Sequence, residues 1–262
     1  MEQSTTKKKT RNSVLINETK DKMSRMKLRG MLDALEEQLL NKDLQSLDFE
    51  ERLGFLIEKE FLQRENQRLA SRLKQARLGQ AAILENFDFK KNRGITKSQI
   101  LSFGQCDWIR EKKNIIITGA TGTGKTFLAN ALAQKACREG FTAQYFRLGR
   151  LFDELLAATG DGTYIKVLEK IAKKNLLVID DWGLNSLDDK QRKDFFEIVE
   201  DRFDKQSLII VSQIPVDKWY DLIGDSTLAD AILDRVLHAS YKIQLKGASM
   251  RKNLKGVEHD LP

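Results

Sequence analysis

Three stretches of this 262-residue chain hold residues whose types and spacing can do chemistry. The first is Gly119-Ala120-Thr121-Gly122-Thr123-Gly124-Lys125-Thr126, the pattern of a loop that cradles phosphates. Its glycines let the backbone close around phosphates without Cβ clashes. Its successive N–H groups, with the helix N-terminus that follows, make a positive nest for anions. Lys125 is placed to reach the β- and γ-phosphates of a nucleotide, and Thr126 to ligate Mg²⁺. Phe127 completes the contact as the helix begins. A plain glycine-rich turn is the bland alternative. All fixed positions are present, however, between a buried strand (Ile115-Ile116-Ile117-Thr118) and a helical run from Phe127 to Ala133.

The second stretch is Leu176-Leu177-Val178-Ile179-Asp180-Asp181, four apolar residues ending in two acids. It places carboxylates at the carboxyl end of a central strand, where α/β sheets bind ligands. Asp180 is expected to hold Mg²⁺ through water, and Asp181 to orient the attacking water. The third stretch is Val211-Ser212-Gln213, a strand ending in a polar side chain that can reach between loop and acids. Gln213 is expected at the γ-phosphate or the water. Two arginines, Arg235 and Arg251, are also candidates for contact with the γ-phosphate, Arg235 from a neighbouring subunit and Arg251 in cis. On the residues alone, surface salt bridging is the simpler reading of both.

The elements that must position these groups follow from periodicity. Short apolar strands at 114–118, 142–147, 176–180, 207–212 and 241–245 alternate with helices near 125–138, 149–157, 163–173, 190–204, 215–222 and 227–237. That alternation implies a parallel sheet covered on both faces, an α/β fold. Before it, residues 13–80 read as an all-helical N-terminal domain. Met23, Met26, Leu28, Met31, Leu32, Leu35 and Leu39 recur at helical spacing there. Asp48 and Glu51 are spaced to cap the helix that follows. Residues 1–12 read as a disordered basic arm, 81–112 as a linker, 113–255 as the nucleotide-binding domain and 256–262 as a tail.

The chain carries a net charge of +7, with a pI near 9.2. Basic residues crowd the first thirty positions, and 241–256 carries no acid, which favours a polyanionic partner held through its phosphates. Arg64, Arg68 and Arg72 form one stripe at four-residue steps, a solvated helix face or a DNA contact. The apolar runs are too short to span a bilayer, so no membrane partner is expected. Cys106 and Cys137 lack metal-type spacing and read as free thiols, which places the protein in the cytoplasm. A GTPase would need an Asn-Lys-x-Asp base-reading motif. Asn41-Lys42-Asp43 lacks the spacing and precedes the loop, so ATP is the expected nucleotide and a small-molecule kinase or GTPase the weakest class.

Several segments together carry a resemblance. Leu84 to Phe89, Cys106-Asp107-Trp108-Ile109, the phosphate loop, Asp180-Asp181-Trp182-Gly183, Ser212-Gln213-Ile214-Pro215 and Leu245 to Lys252 resemble the IstB-type ATPases of bacterial insertion sequences. The resemblance runs from about residue 20 to 255. It implies an AAA+ P-loop ATPase with a five-stranded parallel sheet and a helical N-terminal domain, related to the helicase loader DnaC. It further implies an ATP-dependent homo-oligomer on double-stranded DNA, with little sequence preference, that recruits and stimulates a cognate transposase in a bacterial cytoplasm. By the family's motifs Arg235 takes the arginine-finger role in trans, Arg251 the second sensor and Gln213 the first. Many AAA+ proteins have Glu where this chain has Asp181, so hydrolysis is expected to be slow. A replicative helicase loader of the DnaC type is the alternative.

Overall fold

The computed structural model describes residues 2–87 and 93–250, with side chains described from Val14 onward. The chain divides into two compact units, Met1–Ala70 and Ser71–Pro262.

The first unit is helical: α1 (Glu2–Arg25), α2 (Arg29–Leu40), α3 (Lys42–Gln45) and most of α4 (Phe49–Ala76). The helix α1 begins at Glu2, where disorder was expected of residues 1–12. No Gly or Pro interrupts 2–25, so the backbone meets no breaker. The expected cap of α4 is present: Asp48 Oδ1 accepts the Glu51 N–H at 2.8 Å, and Glu51 Oε2 accepts the Asp48 N–H at 3.2 Å. Helices α2 and α4 touch where Gly30 faces Glu60. A Cβ on Gly30 would lie 2.6 Å from the Lys59 carbonyl. Buried Glu60 accepts the Met31 N–H, and buried Gln38 exchanges hydrogen bonds with Arg52.

The second unit starts at Ser71, earlier than the expected boundary. The supposed linker 81–112 belongs to it: a 3-10 turn at Leu84–Asn86, then α5 (Lys97–Gly104) and α6 (Asp107–Arg110). Phe87, Ile100, Cys106, Trp108 and Ile109 are all buried. Their spacing follows neither helix nor strand period, because short turns bury isolated anchors rather than a continuous face. A capping box at Thr96 and Gln99 fixes the start of α5.

The sheet follows: β1 (Asn114–Gly119), α7 (Lys125–Arg138), β2 (Ala143–Arg147), α8 (Leu148–Gly160), α9 (Tyr164–Ala172), β3 (Leu176–Trp182), α10 (Asp189–Arg202), β4 (Ser207–Ser212), α11 (Trp219–Ile223), α12 (Ser226–Leu237) and β5 (Ser240–Leu245). All pairings are parallel, in the order β2-β3-β4-β1-β5, as expected for an α/β fold of the AAA+ P-loop type. Strand β4 runs between β3 and β1, so the carboxyl ends of the acid strand and the loop strand flank the end of β4. The core packs Ile116, Ile179, Ile210 and Leu177 beneath an aromatic group of Trp182, Phe195 and Trp219. Burial of such side chains stabilises the sheet by roughly 1.5–3 kcal/mol each.

One irregularity matters for the site. In β3 the register passes from Ile179↔Ile210 to Trp182↔Ser212, a bulge at Asp180–Asp181. Asp181 takes the left-handed conformation, φ 64°. The Ser212 hydroxyl closes the bulge by donating to the Trp182 carbonyl at 2.8 Å, while it accepts the Ile214 N–H at 3.0 Å. A bulge re-aims side chains that a regular strand would send to opposite faces.

Candidate nucleotide site

The carboxyl ends of β1, β3 and β4 surround a cleft of about 560 Å³. Thr121, Gly122, Gly124, Lys125, Thr126 and Phe127 line one side, and Asp180, Asp181 and Gln213 another. The sequence-predicted groups of loop, acid strand and sensor strand are therefore brought together.

The loop is bent by glycines that nothing else could replace. Gly119 has φ 149°, and a Cβ there would lie 2.3 Å from the Leu245 carbonyl. Gly122 has φ 80°, and its Cβ would strike Ser249. Lys125 is buried and donates to the Ala120 carbonyl at 2.9 Å; the Thr123 hydroxyl donates to the same oxygen at 2.9 Å. Helix α7 thus starts at Lys125 beside the cleft, and a helix N-terminus there suits an anion.

The acids differ in setting. Asp180 is buried, accepting the Tyr145 hydroxyl at 2.9 Å and the Asp181 N–H at 2.8 Å. Burial first, and the neighbouring Asp180 charge second, push the Tyr145 phenol well above its usual range. Tyr145 therefore stays protonated, a hydrogen-bond donor to Asp180. Asp181 is half-buried and lies 3.7 Å from Arg147. The hydrogen bond that Arg147 donates to the Tyr145 oxygen, and the charge of Asp181, raise Arg147 above the usual guanidinium value.

A carboxylate, a hydroxyl and incoming phosphate oxygens form a hard donor set suited to Mg²⁺, which takes few protein ligands and keeps several waters. Asp180 and Thr126 fit that role. No group of three or more His, Cys, Asp or Glu fit to hold a metal by themselves occurs among the described residues. Gln213 reaches the loop: its Oε1 accepts the Thr121 hydroxyl at 2.6 Å.

The remaining candidates lie elsewhere. Arg235, in the last turn of α12, is at the far end of the sheet, where the Asn114 amide donates to the carbonyls of Arg235 and Val236. Its guanidinium stacks on Phe196 and Phe203 and pairs with Glu200. It does not line the cleft of its own chain. Arg251 lies outside the described residues, but the chain just before it is seated on the loop, where the Met250 N–H donates to the Gly122 carbonyl at 2.9 Å. Of the arginine stripe, Arg64 pairs with Glu60 and Arg68 with Glu65, whereas Arg72 donates to the Cys137 carbonyl at 2.9 Å.

Sequence reasoning missed several residues of the cleft, Gly79, Arg93, Tyr145 and Arg147 among them. The Gly79 N–H donates to the Asn130 side chain, whose amide caps the Thr126 carbonyl, so this segment is tied to the first turn of α7. Buried Arg93 donates to the Thr123 carbonyl at 3.0 Å and covers Phe87. The alternation of β2 could have marked Tyr145, since one strand face must turn toward Asp180. Nothing in the string Asn92-Arg93-Gly94 marks Arg93 beyond a turn.

The family model described as IstB-like ATP binding protein matches residues 21–257. An insertion-sequence ATP-binding protein of Sinorhizobium fredii is 41% identical over 240 residues, covering 92% of this chain and 98% of that protein. The insertion sequence IS1162 ATP-binding protein of Pseudomonas fluorescens is 40% identical over 203 residues, covering 77% of this chain and 88% of its own length. Among solved structures, the DnaC helicase loader matches with a TM-score of 0.51 at 22% identity, over 63% of this chain and 97% of that one. This last likeness is one of fold.

Proposed function

The chain belongs to the family of IstB-like ATP binding proteins, and from that premise we propose that it is an ATP-driven assembly factor of DNA transposition. In this reading it assembles on double-stranded DNA through the phosphate backbone and recruits and stimulates its cognate transposase. The observation that carries it is the separation of Arg235 from the cleft of its own chain. An arginine held at the opposite end of the sheet serves a nucleotide only when a second copy presents it. A free chain then holds an incomplete site, and ATP binding is linked to self-assembly. The helicase-loader alternative has weaker support, because relatives at about 40% identity are insertion-sequence proteins while the loader shares the fold alone.

The residues act as follows. The loop N–H groups cradle the α- and β-phosphates, and Lys125 reaches the β- and γ-phosphates. Thr126 and Asp180 would hold Mg²⁺, which neutralises charge on the transferred phosphoryl group. Asp181 accepts a hydrogen bond from water and aims its oxygen at the γ-phosphorus. That oxygen bonds to phosphorus as the bond to the bridging oxygen breaks, and ADP leaves with the electron pair. Gln213 and Arg251 of the same chain sense the γ-phosphate, and Arg235 of the next subunit offsets the developing charge. The absence of a helix long and apolar enough to cross a membrane, among the described residues, fits action in the bacterial cytoplasm.

Light scattering with duplex DNA, with and without ATP, tests this on the wild type and Arg235→Ala. Large complexes that need DNA, ATP and Arg235 are expected, with nucleotide binding retained by the variant. A wild type that stays monomeric with ATP bound in every condition would overturn the assembly reading.

A further inference from the structure

Arg93 lies 30 residues before Thr123 and outside the phosphate-loop motif, yet its buried guanidinium rests against the loop and borders the cleft. Nη1 donates to the Thr123 carbonyl at 3.0 Å, and a Cβ on Gly124 would come within 3.4 Å of the same nitrogen. The guanidinium covers the Phe87 ring at 5.6 Å, and Nη2 is directed at the Met250 sulfur. Its backbone carbonyl accepts the Lys246 N–H at 2.9 Å, which anchors the residue to the end of β5. Arg93 is thus fixed from several sides, and one of its fixed donors faces the loop.

The consequence follows from peptide geometry. In a trans peptide the carbonyl of one residue and the N–H of the next point in opposite directions. With the Thr123 carbonyl turned to Arg93, the Gly124 N–H is fixed in the opposite direction, and the N–H groups of such a loop are the ones that cradle phosphates. We propose that Arg93 is a positioning residue for nucleotide binding, fixing the Thr123–Gly124 peptide plane so that the Gly124 N–H is presented to phosphate. Gly124, at φ 96°, has a soft backbone that would otherwise sample many orientations, and ordering it in advance removes that cost from binding. The hydrogen bond is charge-assisted, so it also polarises the amide toward the anion. One residue earlier the Met250 N–H holds the Gly122 carbonyl, so two successive loop carbonyls are tied down by segments from outside the motif.

This rests on the reading that the loop holds the nucleotide's phosphates. The N–H groups of such a loop contact the α- and β-phosphates, so Arg93 acts on ATP and ADP alike and leaves the chemical step alone.

The test measures affinity for fluorescent ATP and ADP analogues, kcat and KM for ATP, and melting without nucleotide, for Arg93→Ala, Arg93→Lys and Lys125→Ala. Arg93→Ala is expected to weaken both nucleotides about tenfold, the effect of losing one good hydrogen bond, with kcat within about twofold. Arg93→Lys keeps a charge and one donor and should fall between, which preserves the test if the alanine variant does not fold. The Gly124 amide proton, followed by NMR in glycine-labelled protein, should lose most of its nucleotide-induced shift in the Arg93 variants. If Lys125→Ala abolishes binding while both Arg93 variants bind like wild type, the role assigned to Arg93 is wrong. If Lys125→Ala binds normally, the phosphate reading itself has failed.

Discussion

Thr121 and Gln213 are 92 residues apart in sequence, and the hydroxyl of one donates to the side-chain oxygen of the other at 2.6 Å. This bond joins the tip of the phosphate loop to the end of β4, the strand that separates loop and acids. A γ-phosphate entering the cleft would compete for both groups, so the pair is a contact that nucleotide can exchange. Gln213→Ala should keep ATP affinity within about threefold and lower kcat by about 10- to 100-fold, as loss of a positioned polar group does. Single-turnover hydrolysis checks this, and an unchanged rate would remove Gln213 from the reaction.

The left-handed backbone of Asp181 explains an acid one methylene shorter than is common in such proteins. Asp is among the few side chains enriched at positive φ, whereas Glu has no such local compensation. Asp181→Gly should relieve strain and stabilise the protein by about 0.5–1 kcal/mol while hydrolysis falls steeply. Asp181→Glu should cost about 1 kcal/mol. Denaturant titration of both variants measures this, and a glycine variant less stable than wild type would show that the bulge is unstrained.

The sheet and the phosphate site were legible because each rests on a local signal. An apolar run such as Ile115 to Ile117 buries completely only as a central strand, and the loop glycines occupy positions where a Cβ would strike Leu245 or Ser249. The 81–112 segment was not legible. Its contribution comes from isolated residues, Phe87 and Trp108 among them, that acquire meaning only when packed beside α7 and β4. Arg93 is the extreme case, since its partner Thr123 is set by tertiary folding alone. The bulge at Asp180–Asp181 was hidden for the same reason: pairing register is a property of two strands.

Cys106 and Cys137 are both buried and free. Burial pushes the Cys106 thiol up to about 11 and raises Cys137 as well. The thiolate is the reactive form, so both should resist alkylation at pH 8 in the native state and react on unfolding. An acid whose folded pKa is raised binds its proton more tightly when folded. Stability is therefore present below the unfolded thiol pKa near 9 and declines as pH rises from there through about 11. Mass spectrometry of alkylated native protein checks the first point, and rapid labelling of either cysteine before unfolding would contradict it.

The three arginines of the helical stripe divide by what holds them. Arg68 makes a surface ion pair within α4, a contact that contributes little to stability, while Arg64 pairs with buried Glu60. Arg72 donates to a carbonyl in the last turn of α7, where cations offset the helix dipole. If the stripe serves DNA, Arg68→Ala should leave unfolding free energy within about 0.5 kcal/mol, whereas Arg64→Ala should cost more because it leaves buried Glu60 without its ion pair. Each should reduce the slope of log affinity against log salt by about 0.9. Arg72→Ala should instead cost about 0.5–1.5 kcal/mol of stability, from the lost hydrogen bond to the Cys137 carbonyl. Paired salt titrations and denaturant curves separate the two roles. Salt slopes unchanged in Arg64→Ala and Arg68→Ala would place the DNA surface elsewhere on this basic chain.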